Sequence, residues 1–276
     1  MKRINCLLAA AVVMAAAASC APKKEAPKML VLYYSQTSNT KAVAEEIAGR
    51  LGADIEEIVA VNPYDGDFQA TIQRCLQERE EGTVAEVQPL QKNVADYDVI
   101  FLGYPVWFGT YAPPVAAWLA GADLSGKKVV PFCTFGSGGL DSSSRDLASA
   151  QPGAEVLPGY GVRAARMAAV PKEVDRFLKE NGFIEGEVVK PADFPELHPA
   201  SAEEAAIFDA AVDGYPMLNA KAASVASREV EDGVEYLFTA QPLPREGGPD
   251  MPPAGELKVY VLVEEGQAPV FTQVIR

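Results

Sequence analysis

Histidine is almost missing from this chain: there is one, His198, in 276 residues. With no Cys or His neighbour in sequence, it reads as an exposed linker residue, which speaks against a metal centre and a histidine-based catalytic triad. Cysteine is also scarce. Of four residues, Cys6 and Cys20 sit at the extreme N-terminus, so only Cys75 and Cys133 remain, too few for a disulfide framework. Basic residues are outnumbered, 24 Lys and Arg against 38 Asp and Glu, for a net charge of -14. That disfavours nucleic acid, since neutralising a phosphate backbone takes an excess of Lys and Arg. Neither GxxxxGK[ST] nor GxGxxG occurs, so no P-loop or dinucleotide fingerprint is present. The longest apolar run, Ile4 to Ala18 and interrupted only by Asn5, falls short of the roughly 20 residues of a membrane-spanning helix.

What that run does resemble is a secretory leader. Lys2 and Arg3 precede it, and the small residues Ala17, Ala18 and Ser19 lead out of it into Cys20. Ending on Cys, it is similar to a bacterial lipoprotein signal. The resemblance implies lipidation of Cys20 as the mature N-terminus and a membrane anchor, although Ala17 stands where that family usually has leucine. Residues 21–28, APKKEAPK, read as a polar tether without the acidic run of a surface-displayed protein. The expected location is the bacterial cell envelope, facing the periplasm.

From residue 29 two periodicities alternate. Continuous apolar runs predict buried strands at MLVLYY (29–34) and YDVIFLGY (97–104), with further strands at ADIEEIVAV (53–61), KKVVPFCTF (127–135) and, weakly, AEVLPGYGV (154–162). Helical spacing predicts helices at 40–51, 67–81, 113–122, 139–150 and 170–182, the second with Phe68, Ile72, Cys75, Leu76 and Arg79 on one face. Such alternation builds a parallel α/β sheet with helices on both faces, and its ligand belongs at the carboxyl ends of the strands. The loops 35–40, 105–112 and 134–140 should therefore meet.

Each loop has suitable chemistry. SQTSNT (35–40) places Ser35, Gln36, Thr37, Ser38, Asn39 and Thr40 at a helix start, where backbone N–H groups and the helix dipole favour an anion. YPVWFGTY (104–111) concentrates aromatic residues, and Gly109 allows close approach. CTFGSGG (133–139) adds Gly136, Gly138 and Gly139. A phosphate cradle, an aromatic wall and a glycine-rich rim suit a planar, phosphorylated ligand such as flavin mononucleotide (FMN).

The segment VLYYSQTSNTKAVAEEIA resembles the start of the flavodoxin family, whose phosphate loop reads T/S-x-T-G-N-T. GYPVWFGTYAPPVAAWL and LSGKKVVPFCTFGSGGLDSS are similar to its second and third flavin loops. The resemblance, over residues 29–184, implies a flavodoxin-like five-stranded parallel sheet of order 2-1-3-4-5. It implies FMN held by Ser35, Gln36, Thr37, Ser38, Asn39 and Thr40, by Pro105, Val106, Trp107, Phe108 and Gly109, and by Thr134, Phe135, Gly136, Ser137 and Gly138. Ser38 replaces the family glycine, which predicts strain of roughly 1 kcal/mol. The implied activity is electron transfer with a redox partner protein; a flavin-dependent quinone reductase and a non-redox binding scaffold remain alternatives.

Residues 185–199 are Pro-rich and aperiodic, a linker. SAEEAAIFDAAVDGY (201–215) then predicts a helix with a Ser201–Glu204 capping box. Four alternating segments follow (217–231, 234–241, 256–265, 269–276), with turns at Gly233 and Gly266 and a Pro/Gly loop at 242–255. This second, α+β domain (200–276) resembles the cystatin-like fold, with Val230, Gly233, Tyr236 and Phe238 at the positions of its protease-binding hairpin. Glu229, Glu231 and Asp232 depart from that hairpin's pattern. Three carboxylates entering a protease cleft would carry a large desolvation cost, so a structural or binding module is the favoured reading.

Overall fold

A computed structural model describes residues 26–215, 217–243 and 255–276. The predicted leader, Cys20 and most of the predicted 242–255 loop lie outside the described residues, as does the start of the predicted tether.

The first domain is the expected α/β unit. Strand β1 (Met29–Tyr33) leads into helix α1 (Asn39–Leu51), β2 (Asp54–Glu57), α2 (Phe68–Glu81), β3 (Val99–Trp107), β4 (Thr110–Tyr111), α3 (Pro113–Gly121), β5 (Lys128–Phe135) and α4 (Leu140–Ala150). Strands β6 (Glu155–Val156) and β7 (Tyr160–Arg163), a 3-10 turn and α5 (Val170–Glu180) complete it. The parallel sheet runs β2-β1-β3-β5, with β6 and β7 pairing successive stretches of β5's far edge. Its central strands are apolar throughout because both faces are covered. Leu30, Leu32, Ile100, Leu102 and Val129 face α3 and α4. Val31, Tyr33, Phe101, Val130 and Phe132 face α1 and α5.

Three details differ from the sequence expectations. The single fifth strand at 154–162 is two short strands. The break falls beside Pro131, mid-β5. Val129 accepts from the Leu157 amide on that edge at 2.8 Å, and Pro131, two residues on, has no N–H to give there. Gly159 fills the gap, since a Cβ on it would lie 2.4 Å from the Pro131 carbonyl. The second strand stops at Glu57 rather than 61: after it the chain turns to make an antiparallel bridge, Ala60 with Val87. In α2 Thr71 and Cys75 are buried, while Leu76 is 46% exposed.

The second domain begins with a correction. The end of the predicted 185–199 linker is a strand, β8 (His198–Pro199), and the second sheet has five strands, not four. Helix α6 (Ala202–Val212) follows, opened by the expected capping box. It packs on an antiparallel meander of β9 (Ala220–Val230), β10 (Gly233–Pro242), β11 (Leu257–Glu264) and β12 (Val270–Ile275). The sheet order is β12-β11-β10-β9-β8, so β12 is an edge strand.

That edge is docked on the first domain. The Val274 amide donates to the Ser137 carbonyl at 2.5 Å. The Phe271 carbonyl accepts from Arg163, at the end of β7, at 2.9 Å. Exposed edge groups are a liability that proteins cover, and here the first domain covers them. On another side, Asp232 in the β9–β10 turn ion-pairs with Lys172 and, at 3.8 Å, with Arg176, both on α5. Glu231 approaches Lys172 at 3.9 Å. Among the described residues no helix is long and apolar enough to cross a membrane.

Candidate functional site

The three loops do meet at the carboxyl ends of β1, β3 and β5. The link between the first and third is a buried hydroxyl pair, Thr40 Oγ1 and Thr134 Oγ1, 2.8 Å apart. Thr40 and Thr134 thus tie α1 to β5 and present no free hydroxyl to solvent. Gln36 turns the other way, and its side-chain amide donates to the Tyr64 carbonyl and to Thr71 Oγ1, both at 2.7 Å. Asn39 Nδ2 donates to Thr37 Oγ1 at 3.3 Å.

Two features of this loop are unsatisfied. Ser38 is the N-cap of α1 in the left-handed conformation, φ 66°, and its side chain makes no capping bond. The first amides of a helix have no partner within it, so they face the loop. Ser35 Oγ is buried without any hydrogen-bond partner, which is costly unless something accepts or donates there. Both belong to the same six-residue loop, and no acidic residue occupies the first turn of α1.

The second loop is a hairpin rather than an irregular loop. β3 runs on through Pro105 and Val106 to Trp107 and folds back as β4, with Val106 opposite Tyr111 and Trp107 opposite Thr110. Phe108 (φ 52°) and Gly109 (φ 83°) form the two-residue turn, the pair of positive φ angles that matches strand twist. Phe108 is 53% exposed at the tip. The Trp107 ring lies edge-on to Tyr34 at 6.0 Å and to Tyr64 at 5.2 Å. Burial pushes the Tyr34 hydroxyl up to about 12, with the nearby Arg74 charge opposing it. Burial and then the Glu78 hydrogen bond raise Tyr64. Both phenols stay neutral at physiological pH. The hairpin is braced by Ser142, whose hydroxyl donates to the Gly109 carbonyl at 2.5 Å.

Between this hairpin and the third loop lies a cavity of about 560 Å³. Of the predicted site residues, Gln36, Val106, Trp107, Phe108, Gly109, Gly136, Ser137 and Gly138 line it. Ser35, Thr37, Ser38, Asn39 and Thr40 form the neighbouring loop, outside the lining. Phe135 is turned away into the core, packed against Gly161, and Pro105 is likewise not in the lining.

Apart from Gly139 and Leu140, which lie in the expected third loop, the remaining lining was not foreseen. Thr71, Ile72, Gly139 to Ser142 and Arg145 come from the first domain; Tyr215, Met217 and Gln273 to Arg276 come from the second. Two glycines of the third loop have a further reason besides the one sequence suggested. A Cβ on Gly138 (φ 151°) would lie 2.4 Å from the Val274 carbonyl, and one on Gly136 would lie 2.9 Å from the Tyr215 hydroxyl. They let the second domain approach. Arg163 completes the contact. Only 9% exposed, it donates to the Gly136 carbonyl at 2.8 Å and to Phe271, and its guanidinium lies 3.4 Å over the Phe271 ring. Burial lowers its pKa, and the two carbonyls and the ring face replace a carboxylate as its partners. The one sequence signal was an arginine ending an otherwise apolar strand, YGVR.

The two thiols take no part. Cys75 and Cys133 are buried and unpaired, and burial raises the pKa of both. No cluster of His, Cys, Asp and Glu among the described residues could hold a metal.

A doubly wound parallel sheet with an anion-ready strand-to-helix loop and an aromatic-walled cavity at its carboxyl edge defines a ligand-binding α/β protein. The chain belongs to the flavodoxin family: the flavodoxin model Flavodoxin_4 matches residues 28–175. Among solved structures, a candidate flavoprotein of Bacteroides eggerthii is 28% identical, over 54% of this chain and 97% of its own, with a TM-score of 0.47. A flavoprotein of Lactobacillus acidophilus in complex with FMN is 25% identical, over 53% of this chain and 98% of its own, with a TM-score of 0.44. These matches span little more than half of this chain.

Proposed function

We propose that this chain is an FMN-binding electron-transfer protein held at the bacterial envelope by lipid on Cys20. The observation that carries the FMN reading is the orphaned Ser35 hydroxyl beside the uncapped start of α1. A phosphate there would accept from Ser35 and from the α1 amides without any Lys or Arg. Thr37, Ser38 and Asn39 are placed to add donors from the same loop, while Thr40 and Thr134 hold its position. The ring would lie in the adjoining cavity, against Trp107, Phe108 and the 136–138 backbone. Cavities of several hundred Å³ with an apolar wall and a few polar groups suit such ligands.

FMN, when bound, supplies one- or two-electron chemistry. The chain's own part is to hold the phosphate, cover the ring and set its electrostatic surroundings. A net charge of -14 opposes added negative charge on the ligand. No side chain in the cavity has to move a proton for this role. The C-terminal domain, whose helix-and-meander arrangement resembles the cystatin-like fold, acts as a structural partner and not as a protease inhibitor. Its 231–232 turn is engaged by Lys172 and Arg176.

An FMN titration of the purified chain, followed by absorption and by quenching of flavin fluorescence, tests the reading. We expect a saturable complex and weaker binding by Ser35→Ala. Absence of binding at tens of micromolar, the weak end of such affinities, would sink it. For the anchor, the N-terminal mass of membrane-extracted protein should show a lipid-modified Cys20, and Cys20→Ser should leave the membrane fraction.

A further inference from the structure

The cavity beside the third loop has two walls from two domains, and only the first belongs to the flavodoxin-like unit. We propose that the edge strand β12, with Tyr215 and Met217, is a built wall of the ring site, so that the C-terminal domain grips the ligand. This rests on the reading that the cavity takes FMN.

Four observations carry it. The domain contact is made by the same loop that would line the ring: Ser137 accepts from Val274, and Gly136 and Gly138 are open to Tyr215 and β12. The contact is fixed by Arg163, a buried cation that hydrogen-bonds one carbonyl from each domain. Such a group is costly to bury unless its geometry is held, so the two domains sit in one arrangement here. Ile275, partly exposed at the end of β12, lines the same cavity as Trp107 and Phe108. Finally, the Asp232 turn holds the domain to α5 at a second place, which opposes rotation of β12 away from the loop.

The wall predicts that ring affinity responds to β12 itself and to the loop glycine that lets β12 approach. Full-length protein should be titrated with FMN as wild type, Ile275→Trp, Ile275→Ala and Gly138→Ala, with circular dichroism and thermal melting as folding controls. Ile275 is partly exposed at the strand end, so its variants should fold. We expect Ile275→Trp to crowd the cavity and Gly138→Ala to push β12 off the loop, each weakening FMN about tenfold or more. Gly138→Ala should also shift the fluorescence of Trp107 in the FMN-free protein. Wild-type affinity in both Ile275→Trp and Gly138→Ala, with wild type binding FMN, would overturn the wall and leave the FMN reading standing. If wild type takes no FMN but Ile275→Ala does, β12 fills the ring's place; that result overturns a gripping wall and keeps the cavity as a flavin site. If none of the four proteins binds, the FMN reading falls and this inference with it.

Discussion

The two sheets solve the same burial problem in opposite ways. The parallel sheet is covered on both faces, so its central strands are continuous apolar runs whose inward and outward residues cannot be told apart by pattern. The antiparallel sheet has a single helix on one face, and β9 alternates accordingly, with exposed Lys221 and Ala223 beside half-buried Ala222 and Ser224. The parallel sheet makes its site with loops at strand ends. The antiparallel sheet contributes through the backbone of an edge strand. A site built from loops can be read from the residues in those loops. A wall built from a strand edge uses N–H and C=O groups that every residue has.

That contrast can be broken deliberately. The largest effect should come from Arg163→Leu. It strips the Gly136 and Phe271 carbonyls of their donor. Loss of hydrogen bonds to a charged, buried group should cost about 2–4 kcal/mol. Chemical denaturation would show it, either as a lower midpoint or as two separated transitions if the domains uncouple. A change under about 0.5 kcal/mol would mean the domains do not depend on this contact.

Next is Trp107→Ala, which leaves the second domain intact and removes an aromatic wall of the first. FMN affinity should fall by about 1–3 kcal/mol, read by fluorescence titration. Equal affinity in mutant and wild type removes the indole from the site.

Asp232→Asn tests the second docking point. Its partner Lys172 is half exposed, and the hydrogen bond that Lys172 donates to Asp232 is the leading reason that lysine's pKa is raised. Exposed ion pairs contribute about 0–1 kcal/mol, so the melting temperature should drop only slightly. The sign with pH follows from a raised lysine: the stabilisation is present below the lysine's ordinary pKa and is lost as pH rises through the raised one. The Asp232→Asn difference should therefore vanish at strongly alkaline pH, and a difference that grows there would refute the assignment.

The smallest effect on stability is expected from Ser38→Gly. Serine at φ 66° carries a left-handed cost of about 1–2 kcal/mol, while glycine gives back about 0.4–1 kcal/mol through the unfolded chain. The melting temperature should therefore hardly move or rise a little. A marked loss of stability would mean that the Ser38 side chain is needed where it stands.

Much of the first domain was legible in advance. The β1–α1 loop, the aromatic loop and the glycine loop could be placed together because alternating strands and helices permit few topologies; Thr40 with Thr134 joins the first to the third, and Ser142 with Gly109 braces the second. The split of the last strand could also have been read, since Pro131 interrupts KKVVPFCTF and a proline has no amide to pair. The direction of Phe135 could not, because in a strand buried on both faces either side is apolar. Nor could the hairpin at Phe108–Gly109, where a bulky residue takes a conformation usually left to glycine or asparagine.

What the sequence determined by itself was local and periodic: where strands and helices run, which helix is capped by Ser201 and Glu204, and which loops carry hydroxyls, aromatics and glycines. What tertiary structure alone decided was the use of those glycines. Gly136 and Gly138 look like room for a ligand, yet the space beside them is taken by Tyr215 and Val274. Those residues are some 80 and 140 positions away, a separation at which no periodicity or spacing carries information. Contacts between one backbone and another leave no mark in side-chain pattern, and so the domain interface became visible only once both sheets were folded.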